Sequence, residues 1–163
     1  MTEPVWTLAL DKEDFKFSVA HFTLFDAGRA EPLHGHNYRV RVELAGSRLD
    51  PAGLLVAVEA VKQEVRALCA RLDDRVLLPG ASPWLELRDE GASRLCRFAG
   101  REYRLPAEET LVLPLANVSM ELLARWLWEA LAEKLSGRGL ASLAMTVEES
   151  AGQACRYAAP LGG

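Results

Sequence analysis

Between Leu54 and Leu72, the residues Leu54, Val58, Val61, Val65, Leu68 and Leu72 recur at three- and four-residue spacing. On a helix they form one apolar stripe, opposite Glu59, Lys62, Gln63, Glu64, Arg66 and Arg71. A helix patterned this way must be covered on one side only, so the rest of the chain has to supply a packing surface. A second stripe of Leu122, Leu123, Trp126, Leu127, Ala130 and Leu131 predicts another helix over Ser119–Leu135. Ser119 is its N-cap and Glu121 sits favourably in its first turn.

Strands supply the surface. Tyr38, Val40, Val42 and Leu44 alternate with Asn37, Arg39, Arg41 and Glu43, the pattern of a half-buried strand. Val5–Leu10 and Phe15–Phe22 read as one strand, or a strand broken at the charged Asp11–Asp14. Thr23–Leu33, with Gly28 and Pro32, is a loop, and Asp50-Pro51 with Gly53 marks a turn. Trp84–Leu105 reads as an additional hairpin around Asp89-Glu90-Gly91. Leu143–Glu148 and Gln153–Ala159 form a last strand pair turning at Gly152. Strands and helices do not strictly alternate in this order, which predicts an α+β fold with an antiparallel sheet.

The 163 residues, half of them apolar and 26% charged, suffice for one domain with its own core, read here as residues 1–163. The longest run without a charge, Thr110–Met120, is too short for the roughly 20 apolar residues of a membrane span. The N-terminal stretch Met1–Asp14 has acidic residues where a secretory signal needs basic ones and an apolar run, so a cytoplasmic protein is expected. Nineteen basic and 23 acidic residues are interspersed, and no basic block supports a nucleic-acid partner. Cys69, Cys96 and Cys155 are widely spaced and read as reduced thiols.

Only three histidines occur, His21, His34 and His36, all within a short stretch. In an extended chain, side chains two apart share a face, so His34 and His36 converge across Gly35. Pairing of the flanking strands brings His21 alongside. Gly35 removes a side chain that would crowd the opposite face. Three neutral imidazoles with an open fourth position suit a catalytic Zn²⁺, although an H-x-H spacing by itself also occurs in histidines that bind nothing.

Phe17-Ser18-Val19-Ala20-His21-Phe22 and Leu33-His34-Gly35-His36-Asn37-Tyr38 together resemble the zinc-binding signature of the 6-pyruvoyltetrahydropterin synthase / 6-carboxytetrahydropterin synthase family. Leu72-Asp73-Asp74 sits where that family has Leu-Asp-His, and Asn117-Val118-Ser119-Met120-Glu121 resembles its Asn-Pro-Thr-x-Glu. Val147-Glu148-Glu149, followed by Tyr157, is similar to its final hairpin. The resemblance implies the tunnelling fold: an antiparallel four-stranded sheet with two helices on one face, plus here the extra hairpin between the helices. It implies a small pterin substrate, and trimers stacked into hexamers with active sites at subunit interfaces. It also implies His21, His34 and His36 as zinc ligands, Glu149 as the carboxylate holding the pterin edge, and Ser119 and the Met120 backbone as pocket positions.

The chain departs from the family pattern where the chemistry sits. Four residues before His34, where the synthases carry a catalytic cysteine, stands Ala30; the next residue is Glu31. This resembles a subgroup in which Glu replaces the cysteine and the side chain of 7,8-dihydroneopterin or its triphosphate is cleaved to 6-hydroxymethyl-7,8-dihydropterin. The Asp-His dyad is Asp73-Asp74, which removes an imidazole of ordinary pKa ~6.5 in favour of a carboxyl near ~3.9. Ala57 stands where the family usually has Asp. Glu31 with Asp73 and Asp74 is therefore the candidate catalytic set of a zinc-dependent lyase. The alternative is a pterin-binding homologue that has lost the reaction; an ordinary 6-pyruvoyl or 6-carboxy synthase is disfavoured by Ala30 and Asp74 together.

Overall fold

The structure is a computed structural model and describes residues 5–162, so the first four residues of the stretch read for localisation lie outside the described residues. Its strands are β1 (Trp6–Leu10), β2 (Lys16–His21), β3 (His34–Gly46), β4 (Arg75–Pro79), β5 (Glu86–Glu90), β6 (Ser93–Phe98), β7 (Arg101–Pro106), β8 (Thr110–Leu113), β9 (Ser142–Ser150) and β10 (Gln153–Pro160). Two α-helices, α1 (Val58–Leu72) and α2 (Met120–Leu135), complete it with a 3-10 turn at Ala107–Glu109.

The main sheet is larger than the four antiparallel strands expected. Seven strands run in the order β10-β9-β3-β2-β4-β8, with β1 also paired to β3. The long β3 accounts for part of the difference. Its C-terminal half pairs with β1, from Trp6↔Gly46 to Leu10↔Val42, and its N-terminal half pairs with β2, from Lys16↔Arg39 to His21↔His34. The break at Asp11–Asp14 thus separates two strands lying end to end along one neighbour. The sheet is also mixed, because β4 runs parallel to β2 and β8 parallel to β4. Both are four- or five-residue apolar runs, Arg-Val-Leu-Leu-Pro and Thr-Leu-Val-Leu, too short for their periodicity to declare a strand.

Both helices cover one face. Val61, Val65 and Leu72 of α1 and Leu123, Leu127 and Leu131 of α2 are fully buried in one cluster with Val40, Val42, Leu44, Met145 and Val147. Each such leucine, fully buried, contributes about 1.5–3 kcal/mol relative to exposure. Helix α1 begins at Val58 rather than Leu54, which is half exposed. The Asp50 carboxylate accepts hydrogen bonds from the Ala52 and Leu54 N–H groups and Gly53 takes φ +80°, so a turn occupies those residues. Ala57 leaves α1 without a side-chain cap. At α2, Ser119 caps as expected, accepting from the Leu122 N–H at 3.4 Å.

Trp84–Leu105 forms three strands instead of one hairpin: β5, β6 and β7 make a separate antiparallel sheet. Its inner residues Cys96 and Phe98 join Phe22, Leu24 and Leu78 in a second small core beside the 23–33 loop. Among the described residues no helix is long and apolar enough to cross a membrane.

Candidate metal centre

The register of β2 on β3 places His21 opposite His34 and Val19 opposite His36. The imidazoles therefore continue the core face of Phe17, Val19, Tyr38 and Val40. At this end of the sheet the aliphatic layer stops and the approach to α2 closes over it. Ring centroids stand 4.8 Å apart for His21–His34, 5.4 Å for His21–His36 and 4.7 Å for His34–His36. One ligand nitrogen from each lies within 4.8 Å of the others. Gly35 is not demanded by crowding: a Cβ there would meet only the Val19 carbonyl oxygen, at 3.4 Å.

The donor set fits a zinc ion. His21 Nδ1 lies 3.1 Å from the Val118 carbonyl oxygen and His34 Nδ1 lies 2.7 Å from that of Pro32. An imidazole donating Nδ1–H to a carbonyl presents the Nε2 lone pair, the arrangement that orients histidine ligands. His21 is 1% exposed, and burial pushes its pKa below the ordinary histidine value, which favours the neutral, ligating form.

Glu149 reaches the same space from β9. Leu143, Met145, Val147 and Glu149 alternate onto the core face, while Glu148 turns to the opposite face and pairs with Arg41 at 2.5 Å. Glu149 Oε1 lies 3.3 Å from His36 Nε2 and 3.6 Å from His21 Nε2. It accepts from the Tyr38 hydroxyl at 2.8 Å, and its Oε2 accepts from Gln153 Nε2 at 3.0 Å. Burial, and then the bond to Glu149, hold the Tyr38 phenol above its usual pKa, so it remains a donor.

Glu31 stands on the other side of the cluster. Its carboxylate is 3.8 Å from His34 Nε2 and accepts the Thr23 N–H at 3.1 Å. Desolvation alone would raise its pKa. Hydrogen bonds from Thr23, with the neighbouring His34 and His21 imidazoles, outweigh that and bring it below the ordinary glutamate value.

The two aspartates go elsewhere. The Asp73 carboxylate accepts the Ser18 N–H at 2.7 Å, tying the end of α1 to β2. The nearby Arg75 guanidinium donates instead to the Glu108 carbonyl. Asp74 takes a left-handed φ of +55° and lines a groove of about 700 Å³ with Ser18, Asn37, Arg75, His36 and Glu149. Ser119 spends its hydroxyl on the α2 cap, and Met120 is partly buried against the core.

Several residues around the cluster have roles that the motifs do not declare. Asn117 accepts from the Leu24 and Val118 N–H groups and donates to the Leu24 carbonyl, which sets the Val118 carbonyl against His21. Tyr38 is legible as a strand position within the His-Gly-His segment, but not as a partner of Glu149. Thr23, Gln153 and Arg101 had no signal. Cys69 and Cys96 are buried in the two cores, where burial pushes their thiols up to about 12 and about 11, and Cys155 stands on β10 opposite Val147.

Comparison with known proteins bears on the fold and the family. The family described as 6-pyruvoyl tetrahydropterin synthase matches residues 10–160. A protein of Methanocaldococcus jannaschii, provisionally named a 6-carboxy-5,6,7,8-tetrahydropterin synthase, is 28% identical over 147 residues, covering 87% of this chain and 88% of its own. The crystal structure of Plasmodium vivax 6-pyruvoyl tetrahydropterin synthase superposes with a TM-score of 0.91 at 26% identity, covering 96% of this chain and 99% of that one. A variant of that enzyme, in which a glutamate described as a catalytic residue is replaced by alanine, gives the same TM-score, identity and coverage. The Plasmodium falciparum enzyme follows at 0.90 and 25%, covering 96% and 98%. This chain belongs to the 6-pyruvoyl tetrahydropterin synthase family.

Proposed function

We propose that this protein is a zinc-dependent lyase that cleaves the side chain of 7,8-dihydroneopterin or its triphosphate to 6-hydroxymethyl-7,8-dihydropterin. The observation that carries the reading is the Glu31 carboxylate, 3.8 Å from His34 Nε2 at the edge of a three-histidine cluster, with Ala30 standing four residues before His34. The Plasmodium relative in which a glutamate is described as catalytic supports it.

His21, His34 and His36 would hold Zn²⁺, which as a Lewis acid lowers the pKa of a substrate hydroxyl. Glu31 takes the proton from the C2′ hydroxyl. The C2′–O bond becomes a carbonyl as the C1′–C2′ bond breaks, and its electron pair passes into the conjugated dihydropterin ring. C1′ then regains a proton from Glu31, which leaves 6-hydroxymethyl-7,8-dihydropterin and a glycolaldehyde fragment carrying any phosphates. Glu149 orients the ring. An ionised carboxylate has about four acceptor positions, and Tyr38 and Gln153 use one on each oxygen, so each retains another for the amino-pyrimidine N–H pair. That bidentate pairing fixes the ring relative to Glu31. Asp73 acts through β2 by holding Ser18. Asp74, in the groove beside His36 and Glu149, is the second proton-carrying candidate, and the Ser119–Met120 turn forms one wall of the ring pocket. Assembly into trimers and hexamers through the sheet edges β10 and β8 belongs to the same reading.

The test is an anaerobic incubation of zinc-loaded protein with 7,8-dihydroneopterin triphosphate and identification of products by mass. 6-Hydroxymethyl-7,8-dihydropterin is expected. A 6-pyruvoyl or 6-carboxy product would assign the chain to the reactions for which its relatives are named. Unchanged substrate with pterin bound would identify a binding homologue.

A further inference from the structure

The three-stranded sheet β5-β6-β7 has no part in holding the histidines, yet one of its residues reaches the loop that carries Glu31. The β6–β7 turn is tight, with Phe98 opposite Arg101 and both intervening residues at positive φ, Ala99 at +45° and Gly100 at +81°. Such a two-residue turn projects the first residue of β7 in a fixed direction. Arg101 there stacks its guanidinium over the Phe98 ring, 5.6 Å from the centroid. Phe98 is 3% exposed in the second core with Phe22 and Leu24. From that platform Arg101 Nη1 donates to the Glu31 carbonyl at 3.1 Å and Nη2 to the Ala30 carbonyl at 3.0 Å.

The other bonds to Glu31 come from Thr23. The Glu31 N–H donates to the Thr23 carbonyl at 3.0 Å, and the Thr23 N–H donates to the Glu31 carboxylate at 3.1 Å. Both tie Glu31 to another residue of the same loop. Asn117 holds that loop from outside at Leu24, whereas the Arg101 fork, from a separate sheet, holds the Ala30 and Glu31 carbonyls themselves. A planar guanidinium with two parallel donors suits that task better than a single rotatable ammonium.

We propose that Arg101 is a positioning residue for Glu31, and that the β5-β6-β7 sheet braces the catalytic loop. The inference rests on Glu31 being the base. A general base must hold hydrogen-bond distance to the proton it abstracts, and a displacement of about 1 Å can cost ~10²-fold in rate.

Steady-state kinetics of Arg101→Ala and Arg101→Lys, each also made in the Glu31→Gln background, test this. Arg101→Ala is expected to lower kcat by ~10–100-fold with KM for the pterin and zinc content nearly unchanged. Arg101→Lys, which keeps one donor and needs no refolding of the turn, should recover part of that loss. In the Glu31→Gln background, Arg101→Ala should cost nothing further, because the group it positions is already gone. Amide hydrogen exchange in the 23–33 loop should quicken in Arg101→Ala while α1 and α2 stay protected. A rise in KM with kcat unchanged, an equal loss in both backgrounds, or unaltered loop exchange would overturn the proposal. Wild-type turnover in Arg101→Ala beside a defective Glu31→Gln overturns it alone; wild-type turnover in both overturns the base assignment with it.

Discussion

Glu31 and the Asp73-Asp74 pair are both acidic signals in the sequence, but the fold treats them differently. Glu31 lies on a loop whose ends are fixed by the β2–β3 pairing, and its carboxylate points at His34. Asp73 ends a helix, and its carboxylate is consumed by the Ser18 N–H. Asp74 is held by its own backbone, whose N–H donates to the Ser18 carbonyl at 2.8 Å, and its side chain faces the groove. Both the Glu31 and Asp73 carboxylates accept one backbone N–H, from Thr23 and from Ser18 respectively. What differs is where the accepting group stands, beside the His34 imidazole in one case and at the junction of α1 with β2 in the other.

The comparison breaks most visibly at the metal. His36→Ala is expected to abolish both zinc retention, read by elemental analysis of the purified protein, and turnover, because two imidazoles do not make a catalytic zinc site. A chelator should act likewise on the wild type, with activity restored by added zinc. Next, Glu31→Gln should keep zinc and pterin binding while turnover falls ~10²–10⁴-fold, the usual scale for a general base. Unchanged turnover would put Glu31 on the same footing as Asp73.

Asp74→Asn keeps the side-chain shape and should lower turnover less than Glu31→Gln, by under ~10-fold, below the usual general-base scale. A loss matching Glu31→Gln would make Asp74 the second proton carrier and erase the contrast. Asp73→Ala should leave turnover per folded molecule nearly intact and destabilise the protein by about 1–2 kcal/mol, seen as a lower midpoint in urea, because the Ser18 N–H loses its acceptor. The smallest effect concerns the thiols. At pH 8, Cys155 on the half-exposed β10 should react with a maleimide well before Cys69 or Cys96, whose pKa values stand at about 12 and about 11. Rapid labelling of Cys96 would show that the second core, and with it the Arg101 platform, opens readily.

Much of this was legible along the chain because it depends on local periodicity. The α2 stripe with its Ser119 cap, the alternation from His36 to Leu44 and the Gly152 turn all appear where their spacing predicts. The split of Glu148 and Glu149 onto opposite faces follows from the two-residue period of a strand. The histidine cluster was visible because one type of residue is rare and concentrated.

What the sequence by itself determined is which residues share a face, since 3.6- and two-residue repeats are properties of the backbone. The tertiary structure alone decided which faces meet. It placed β4 parallel beside β2 and β8 parallel beside β4, because short apolar strands are recruited by neighbours rather than declared by their own pattern. It spent Asp73 on Ser18, and it brought Tyr38 and Gln153 onto Glu149. It also carried Arg101 across 70 residues to the Glu31 carbonyl. Hydrogen bonds between residues far apart in the chain leave no periodic trace in the sequence, because only the folded core brings the partners within about 3 Å.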